Sequence, residues 1–215
     1  MRIGIVAPPW IPVPPIAYGG TEFAIDQLVG GLVADGHEVH LVAHPDSATP
    51  ARLHTLPIST HNVDMGQCAH ELAWVLGAYD LLDDLGVDVI HDHTLAGSVV
   101  GRSLVTGPIV ITNHGPFDHL TTQMFERAAR TCEVVALTRA HARSTHVPTT
   151  VIRHGLDVAD FPFGDGAGGH LLFLGRMAPE KGVHFAVEVA ERSGLPLVIA
   201  AKARERQERE YLDEV

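Results

Sequence analysis

The stretch RIGIVA at residues 2–7 decides the fold, because its apolar residues form a continuous run. A continuous apolar run of this length predicts a strand that is buried on both faces. Similar runs recur as EVHLVA at 38–43, PIVIT at 108–112 and EVVAL at 133–137. Strands covered on both faces are typical of a parallel sheet between layers of helices. The expected fold class is therefore α/β, with a doubly wound parallel sheet.

Amphipathic segments separate these strands and complete the pattern. In the first of them, residues 20–35, Leu28 and Leu32 have helical spacing, Thr21 is a candidate N-cap and Gly36 a candidate stop. Further helices are expected at 70–85, 95–104, 119–130 and 139–145, and shorter strands at 87–90, 150–152 and near 53–56. Together these elements predict one doubly wound domain over residues 1–157.

The segment 158–169, VADFPFGDGAGG, is rich in Gly and Asp and predicts a linker. After it the pattern restarts, with strands expected at 171–174 and 197–201 and helices at 179–192 and 203–215. Two strands and two helices are too few for a second doubly wound domain. Residues 170–215 are therefore expected to be the truncated start of a second α/β domain.

The composition bounds the class of function. The chain has 15 Lys and Arg against 26 Asp and Glu, a formal net charge of −11, which argues against a nucleic-acid-binding protein. Its two cysteines lie far apart, which favours a reduced, cytoplasmic protein. No apolar run approaches the roughly 18 residues of a membrane span, although a peripheral membrane contact remains open.

Three candidate site segments follow predicted strands, at the sheet edge where doubly wound folds bind ligands. Gly19-Gly20 opens the first helix, where backbone amides favour an anion such as a diphosphate; the alternative is a tight turn. This segment lacks the G-x-G-x-x-G pattern of dinucleotide-binding enzymes. His91-Asp92-His93 could contact substrate, hold zinc or be structural. His114, in TNHG, could bind a sugar hydroxyl, or its segment could cap the next helix.

A fourth segment, GRMAPEKG at 175–182, follows the strand predicted at 171–174. Its Arg176 and Lys181 offer a planar donor fork and a mobile point charge, which suit a diphosphate. The alternative is a solvated pair at a helix start. However, cations oppose the dipole of a helix N-terminus, so a bound anion would relieve them.

Seven segments in order resemble the family 4 glycosyltransferases, which have the GT-B fold. They are MRIGIVAP (1–8), YGGTE (18–22), HEVHLVA (37–43), DVIHDHT (88–94), ITNHG (111–115), VIRHGLD (151–157) and LGRMAPEKG (174–182). The resemblance covers essentially the whole chain. It implies two Rossmann-like domains with a nucleotide sugar between them, and transfer of the sugar to a hydroxyl acceptor with retention at the anomeric carbon.

The resemblance also implies roles for individual residues. Arg176 and Lys181 would bind the donor diphosphate, and Gly19 and Gly20 would line it. His114 would contact the transferred sugar as the catalytic residue. Asp92 and His93 would lie on the acceptor side, whereas the turn at 153–157 would be structural. No cofactor and no metal are expected.

One departure from the family pattern limits the expected activity. The family carries two glutamates eight positions apart in an F-G-x-x-x-x-E-A-type segment of its second domain, and these 215 residues lack that segment. Glu180 and Glu188 have the same separation but lie in an earlier helix. The chain alone is therefore expected to be inactive. Two other functions stay open, a GT-B sugar-nucleotide epimerase and a non-catalytic carbohydrate- or nucleotide-binding module.

Overall fold

The computed structural model describes residues 1–58, 67–101, 105–164, 166 and 168–215. The chain divides into two compact units, Met1–Val158 and Ala159–Val215. Residues 102–104 of the helix predicted at 95–104 lie outside the described residues, as do residues 165 and 167 of the predicted linker.

The first unit is built on a seven-stranded parallel sheet, which confirms the predicted fold class. The strand order is β3-β2-β1-β4-β5-β6-β7. The sheet therefore grows in both directions from β1, and the ends of β1 and β4 form the crevice where such folds bind ligands. The strands are β1 (Arg2–Val6), β2 (Glu38–Val42), β3 (Arg52–His54), β4 (Val89–Asp92), β5 (Ile109–Thr112), β6 (Glu133–Ala136) and β7 (Thr150–Val151).

In the described residues, five α-helices connect these strands. None in the described part of the chain combines the length and the apolar character that crossing a membrane requires. The helices are α1 (Gly20–Ala34), α2 (Cys68–Asp84), α3 (Gly97–Val100), α4 (His119–Ala128) and α5 (Arg139–Arg143).

Two hydrophobic clusters hold the helices against the sheet. In one, Ile25 and Val29 of α1 pack with Ile5 of β1. In the other, Trp74 of α2 and Phe125 of α4 pack with residues of β1, β4, β5 and β6. Both clusters are closed to solvent, so the rigid sheet fixes the positions of the loops that follow its strands.

Two of the element boundaries that differ from the sequence prediction lie at the candidate site. Gly19, rather than Thr21, is the N-cap of α1, and Thr21 lies inside the helix. The strand predicted at 87–90 is observed at Val89–Asp92, because its parallel pairing with β1 and β5 extends to Asp92. His91 and Asp92 are therefore strand residues with side chains on opposite faces of the sheet.

The second unit contains two parallel strands, β8 (Leu171–Arg176) and β9 (Leu197–Lys202), with helices α6 (Val183–Ser193) and α7 (Arg206–Glu214). The helix predicted at 179–192 is divided by Gly182, which has a φ of 76°. That left-handed conformation favours glycine and ends a short 3₁₀ turn, Pro179–Lys181, before α6 begins.

Candidate active site

The carboxyl ends of three adjacent strands, β1, β4 and β5, bring together candidate residues from distant parts of the sequence. Their loops carry Gly19 and Gly20, His93, and His114, respectively. His93 follows β4 directly, and its backbone amide donates to the carbonyl of Val6 at 3.0 Å. This bond ties the start of the His93 loop to the end of β1, at the point where the strand order reverses.

Four histidines form a continuous row along this edge of the sheet. The ring centroids of His91 and His93 lie 4.2 Å apart, those of His93 and His114 5.1 Å apart, and those of His114 and His154 5.2 Å apart. His93 Nδ1 and His114 Nε2 form a hydrogen bond of 2.9 Å, and His91 Nε2 bonds Thr112 Oγ1 at 2.8 Å. The turn at 153–157, predicted to be structural, thus supplies His154, whose ring stacks on that of His114 at an interplanar angle of 15°.

Burial keeps the histidine row uncharged near neutral pH. Desolvation lowers the pKa of His91 to about 4, and desolvation together with His154 and other histidines lowers the pKa of His114 to about 3. The same causes hold the pKa of His93 well below its usual value. A neutral imidazole both donates and accepts one hydrogen bond, so in the bond between His93 and His114 the tautomer of one ring sets that of the other.

His93 keeps one polar atom without a partner in the described residues. Its side chain is buried, and its Nε2 atom makes no hydrogen bond there. Its other ring nitrogen, Nδ1, is used by His114. Because a buried polar atom without a partner is costly, a ligand group next to Nε2 would find an unmet hydrogen-bonding capacity.

Asp92 lies next to His93 in sequence but faces other partners. The hydroxyl of Tyr79 donates to Asp92 Oδ2 at 2.7 Å, and the amide of Thr94 donates to Asp92 Oδ1 at 2.6 Å. The side chain has no exposed surface, and burial raises its pKa to about 6. A Cβ atom added at Gly97 would overlap the carboxylate. The structure therefore places Asp92 among the packed groups of α2 and α3, and brings only His93 of this pair into the histidine row.

A cavity of about 280 Å³ lies beside the row, lined by His93, His114, Thr21 and Glu71 among others. Glu71 is a residue that the sequence analysis missed. It lies in the first turn of α2, and its Oε1 atom accepts a hydrogen bond from the amide of Leu95 at 3.1 Å. Helices that follow parallel strands begin at the edge where the strands end, so the first turn of each predicted helix was a signal for such residues.

Gly19 and Gly20 occupy the start of α1, as the sequence predicts, but differ in the space around them. A Cβ atom at Gly19 would lie 2.6 Å from Pro15 Cβ, whereas a Cβ atom at Gly20 would meet nothing within 4 Å. Glycine at position 19 is thus required by the close approach of the loop to the helix. Gly20 is exposed, whereas the Glu22 carboxylate is buried in the first turn of α1, beside Gly19.

In the second unit, Arg176 ends β8 and Lys181 ends the 3₁₀ turn after it. Arg176 Nη2 donates to Glu180 Oε1 at 2.7 Å, and its Nη1 atom lies 3.9 Å from Glu208 Oε1. Lys181 is exposed, and its side chain makes no hydrogen bond or ion pair with the described residues. An anion bound here would meet a free lysine and an arginine already held by carboxylates.

The described residues contain no group of three His, Cys, Asp or Glu side chains arranged to hold a metal ion. The imidazoles of the row instead contact one another and Thr112.

The strand order and the cavity at its reversal fit the GT-B class, and the comparisons with known proteins show a glycosyltransferase family of that class. Residues 18–160 match the family model of Glycosyltransferase Family 4. The chain belongs to that family. No curated protein sequence matches the chain.

Solved structures resemble the whole chain. AviGT4, a glycosyltransferase involved in Avilamycin A biosynthesis, is 26% identical over 99% of this chain, with a TM-score of 0.68. The chain spans 59% of AviGT4. The catalytic domain of Starch Synthase IV from Arabidopsis thaliana, bound to ADP and acarbose, matches over 99% of this chain and 70% of its own length, with 13% identity and a TM-score of 0.65. An alpha-glucosyltransferase in complex with UDP and a DNA 13-mer matches with 13% identity, coverages of 100% and 59% and a TM-score of 0.61. The last two likenesses concern the fold.

Proposed function

We propose that this chain serves a retaining glycosyltransferase that moves a sugar from a nucleotide diphosphate sugar to a hydroxyl acceptor. The observation that carries the proposal is the hydrogen-bonded pair of His93 and His114 in a cavity at the strand reversal, in a chain of Glycosyltransferase Family 4. The nucleotides bound by the starch synthase and the glucosyltransferase support a nucleotide-linked donor.

His114 is the proposed catalytic residue. Its ring is neutral because burial and its histidine neighbours lower its pKa to about 3. Such a ring donates a directed hydrogen bond to a sugar hydroxyl without adding a positive charge beside an oxocarbenium-like transition state. His93 would fix the tautomer of His114 through their 2.9 Å hydrogen bond and, with Asp92 behind it, form the acceptor side.

Arg176 and Lys181 are the proposed ligands of the donor diphosphate, and Gly19 and Gly20 would line it. An arginine fork and a lysine ammonium stabilise the charge that develops on a diphosphate leaving group. Glu180 and Glu208 position the Arg176 guanidinium before the donor binds. The donor diphosphate must therefore compete with these two carboxylates for the guanidinium.

We further propose that a polypeptide of residues 1–215 alone has little or no transfer activity. The glutamate-pair segment of the family is absent from these residues, and the second unit has one two-stranded sheet. The reaction is proposed to be cytoplasmic, since Cys68 and Cys132 form no disulfide.

The test uses the product of the complete reading frame that encodes this chain, with UDP-, ADP-, GDP- and dTDP-sugars and a panel of hydroxyl acceptors. Release of nucleoside diphosphate only when acceptor is present, with the product anomer identical to the donor anomer by NMR, is expected. His114→Asn should lower kcat by about 10²-fold or more, while the exposed His119→Asn should leave it unchanged. Acceptor-independent isomerisation of the donor would contradict the proposal and indicate an epimerase. Binding of a glycan without any turnover would indicate a non-catalytic module.

A further inference from the structure

The cavity beside His93 and His114 has an unusual charge for a chain that handles phosphorylated substrates. None of the described residues that line it is Lys or Arg, and one of them, Glu71, is acidic. With a volume of about 280 Å³ the cavity lies near the lower end of small-molecule sites, which suits one sugar-sized group. Any charge on its occupant therefore meets a carboxylate and no fixed cation.

Glu71 retains acceptor capacity toward the cavity. Its Oε1 atom accepts a hydrogen bond from the backbone amide of Leu95 at 3.1 Å. Burial raises the pKa of Glu71, and the backbone amides of Leu95 and Ala96 oppose that rise. An ionised carboxylate accepts about four hydrogen bonds, so lone pairs remain for a ligand hydroxyl or ammonium. The bond from Leu95 restrains the carboxylate, which lowers the entropy that a ligand must remove on binding.

The other titratable groups around the cavity do not supply positive charge. His93 and His114 are neutral because burial lowers the pKa of each far below 7. Asp92 lies close enough that the charge of Glu71 contributes to its raised pKa. His93 Nε2, buried and without a partner in the described residues, provides a second polar atom with unmet hydrogen-bonding capacity.

We infer that this cavity takes an acceptor without anionic groups, a neutral or amine-bearing polyol, and that Glu71 selects it by accepting a hydrogen bond from a hydroxyl or ammonium group. A phosphate or carboxylate placed beside Glu71 is disfavoured, because none of the described residues that line the cavity is Lys or Arg. Calling the occupant an acceptor rests on the proposed function; the charge selectivity rests on the cavity itself.

The experiment measures binding of three probes that differ in one substituent, glucosamine, glucose and glucose 6-phosphate, to the 215-residue chain by calorimetry and saturation-transfer NMR. The expected order of affinity is glucosamine, then glucose, with glucose 6-phosphate weakest. Glu71→Gln should lower the affinity for glucosamine about tenfold and that for glucose much less, because a charge-assisted hydrogen bond is roughly twice as strong as a neutral one. Asp80→Asn removes one charge from an exposed position of the same helix and should change neither affinity.

Tighter binding of glucose 6-phosphate than of glucose by the unsubstituted chain would overturn the inference without any variant. The inference would also be overturned if Glu71→Gln left the ratio of glucosamine to glucose affinity unchanged. It would equally be overturned if no probe bound at concentrations near its solubility limit. These results need no donor and no turnover. If the product of the complete reading frame transfers no sugar but the order of affinities holds, only the proposed function is refuted. If that product transfers sugar to phosphorylated acceptors, only the charge selectivity is refuted.

Discussion

Acidification should destabilise the first unit through its buried histidines. In the unfolded chain a histidine has a pKa near 6.5, whereas His91 and His114 are lowered to about 4 and about 3 by burial. Below pH 6.5 the unfolded chain binds protons at these histidines and the folded chain does not, so the free energy of unfolding falls. Above pH 6.5 both states leave the histidines neutral, and this loss is absent. At pH 5 each histidine costs about 2 kcal/mol, so the pair costs about 4 kcal/mol.

Asp92 opposes part of this loss. Burial raises its pKa to about 6, so between pH 6 and pH 4 the folded chain binds its proton more readily than the unfolded chain. This regains about 1 kcal/mol at pH 5 and leaves a net loss of about 3 kcal/mol from the three groups. His93 acts in the same direction as the other histidines, because its pKa is also lowered.

The assay is urea unfolding at pH 7.5 and pH 5 followed by tryptophan fluorescence. Both tryptophans of the chain, Trp10 and Trp74, are buried in the first unit, so the signal reports on that unit. In His91→Gln the loss of stability between the two pH values should shrink by about 2 kcal/mol, since the neutral amide still reaches Thr112. The exposed His119→Gln should keep the full loss. Equal losses in His91→Gln and the unsubstituted chain would refute the reasoning.

Three further substitutions, with Gly30→Ala as a comparison, test the packing of Asp92 and the anion site. Gly97→Ala should lower the free energy of unfolding by about 1–3 kcal/mol, because the added Cβ would overlap Asp92. Gly30→Ala in α1, where the added Cβ meets open space, should raise the free energy of unfolding by about 0.5–1 kcal/mol. Urea midpoints that shift in the same direction in both variants would contradict this. Tyr79→Phe removes a hydrogen-bond donor from Asp92 and should cost about 1–3 kcal/mol in the same assay, so an unchanged midpoint would contradict the bond. Lys181→Gln should weaken binding of the tightest of UDP, ADP and GDP about tenfold by calorimetry, and equal affinity would remove Lys181 from the site.

Continuous apolar runs predicted the strands because a parallel sheet buries both faces of each strand. The position of the site followed from the same rule, since His93 and His114 come after adjacent strands. Asp92 was assigned with His93 to the acceptor side, and this role stays a prediction. Because β4 extends to Asp92, alternation along the strand points its carboxylate toward α2, where it accepts a hydrogen bond from Tyr79.

Contacts between elements that are distant in the chain could not be predicted from local sequence patterns. His154 and Glu71 each contribute to the site, yet they are separated from His114 by 40 and 43 positions in the chain. Their proximity depends on strand order and on the tilt of α2, neither of which is encoded in a local pattern. Periodicity identifies elements one at a time, whereas a site at a sheet edge is made by the neighbours that each element acquires.

The place of β1 in the sheet has a consequence for synthesis on the ribosome. This strand pairs with β2 on one side and with β4 on the other, and Val6 of β1 aligns with Asp92. At about 5–20 residues per second, roughly 4–17 s pass between the synthesis of these two residues. During that interval the backbone amides and carbonyls of β1 have no partner on the β4 side. Chaperone binding or misassembly of the nascent chain therefore competes with completion of the sheet.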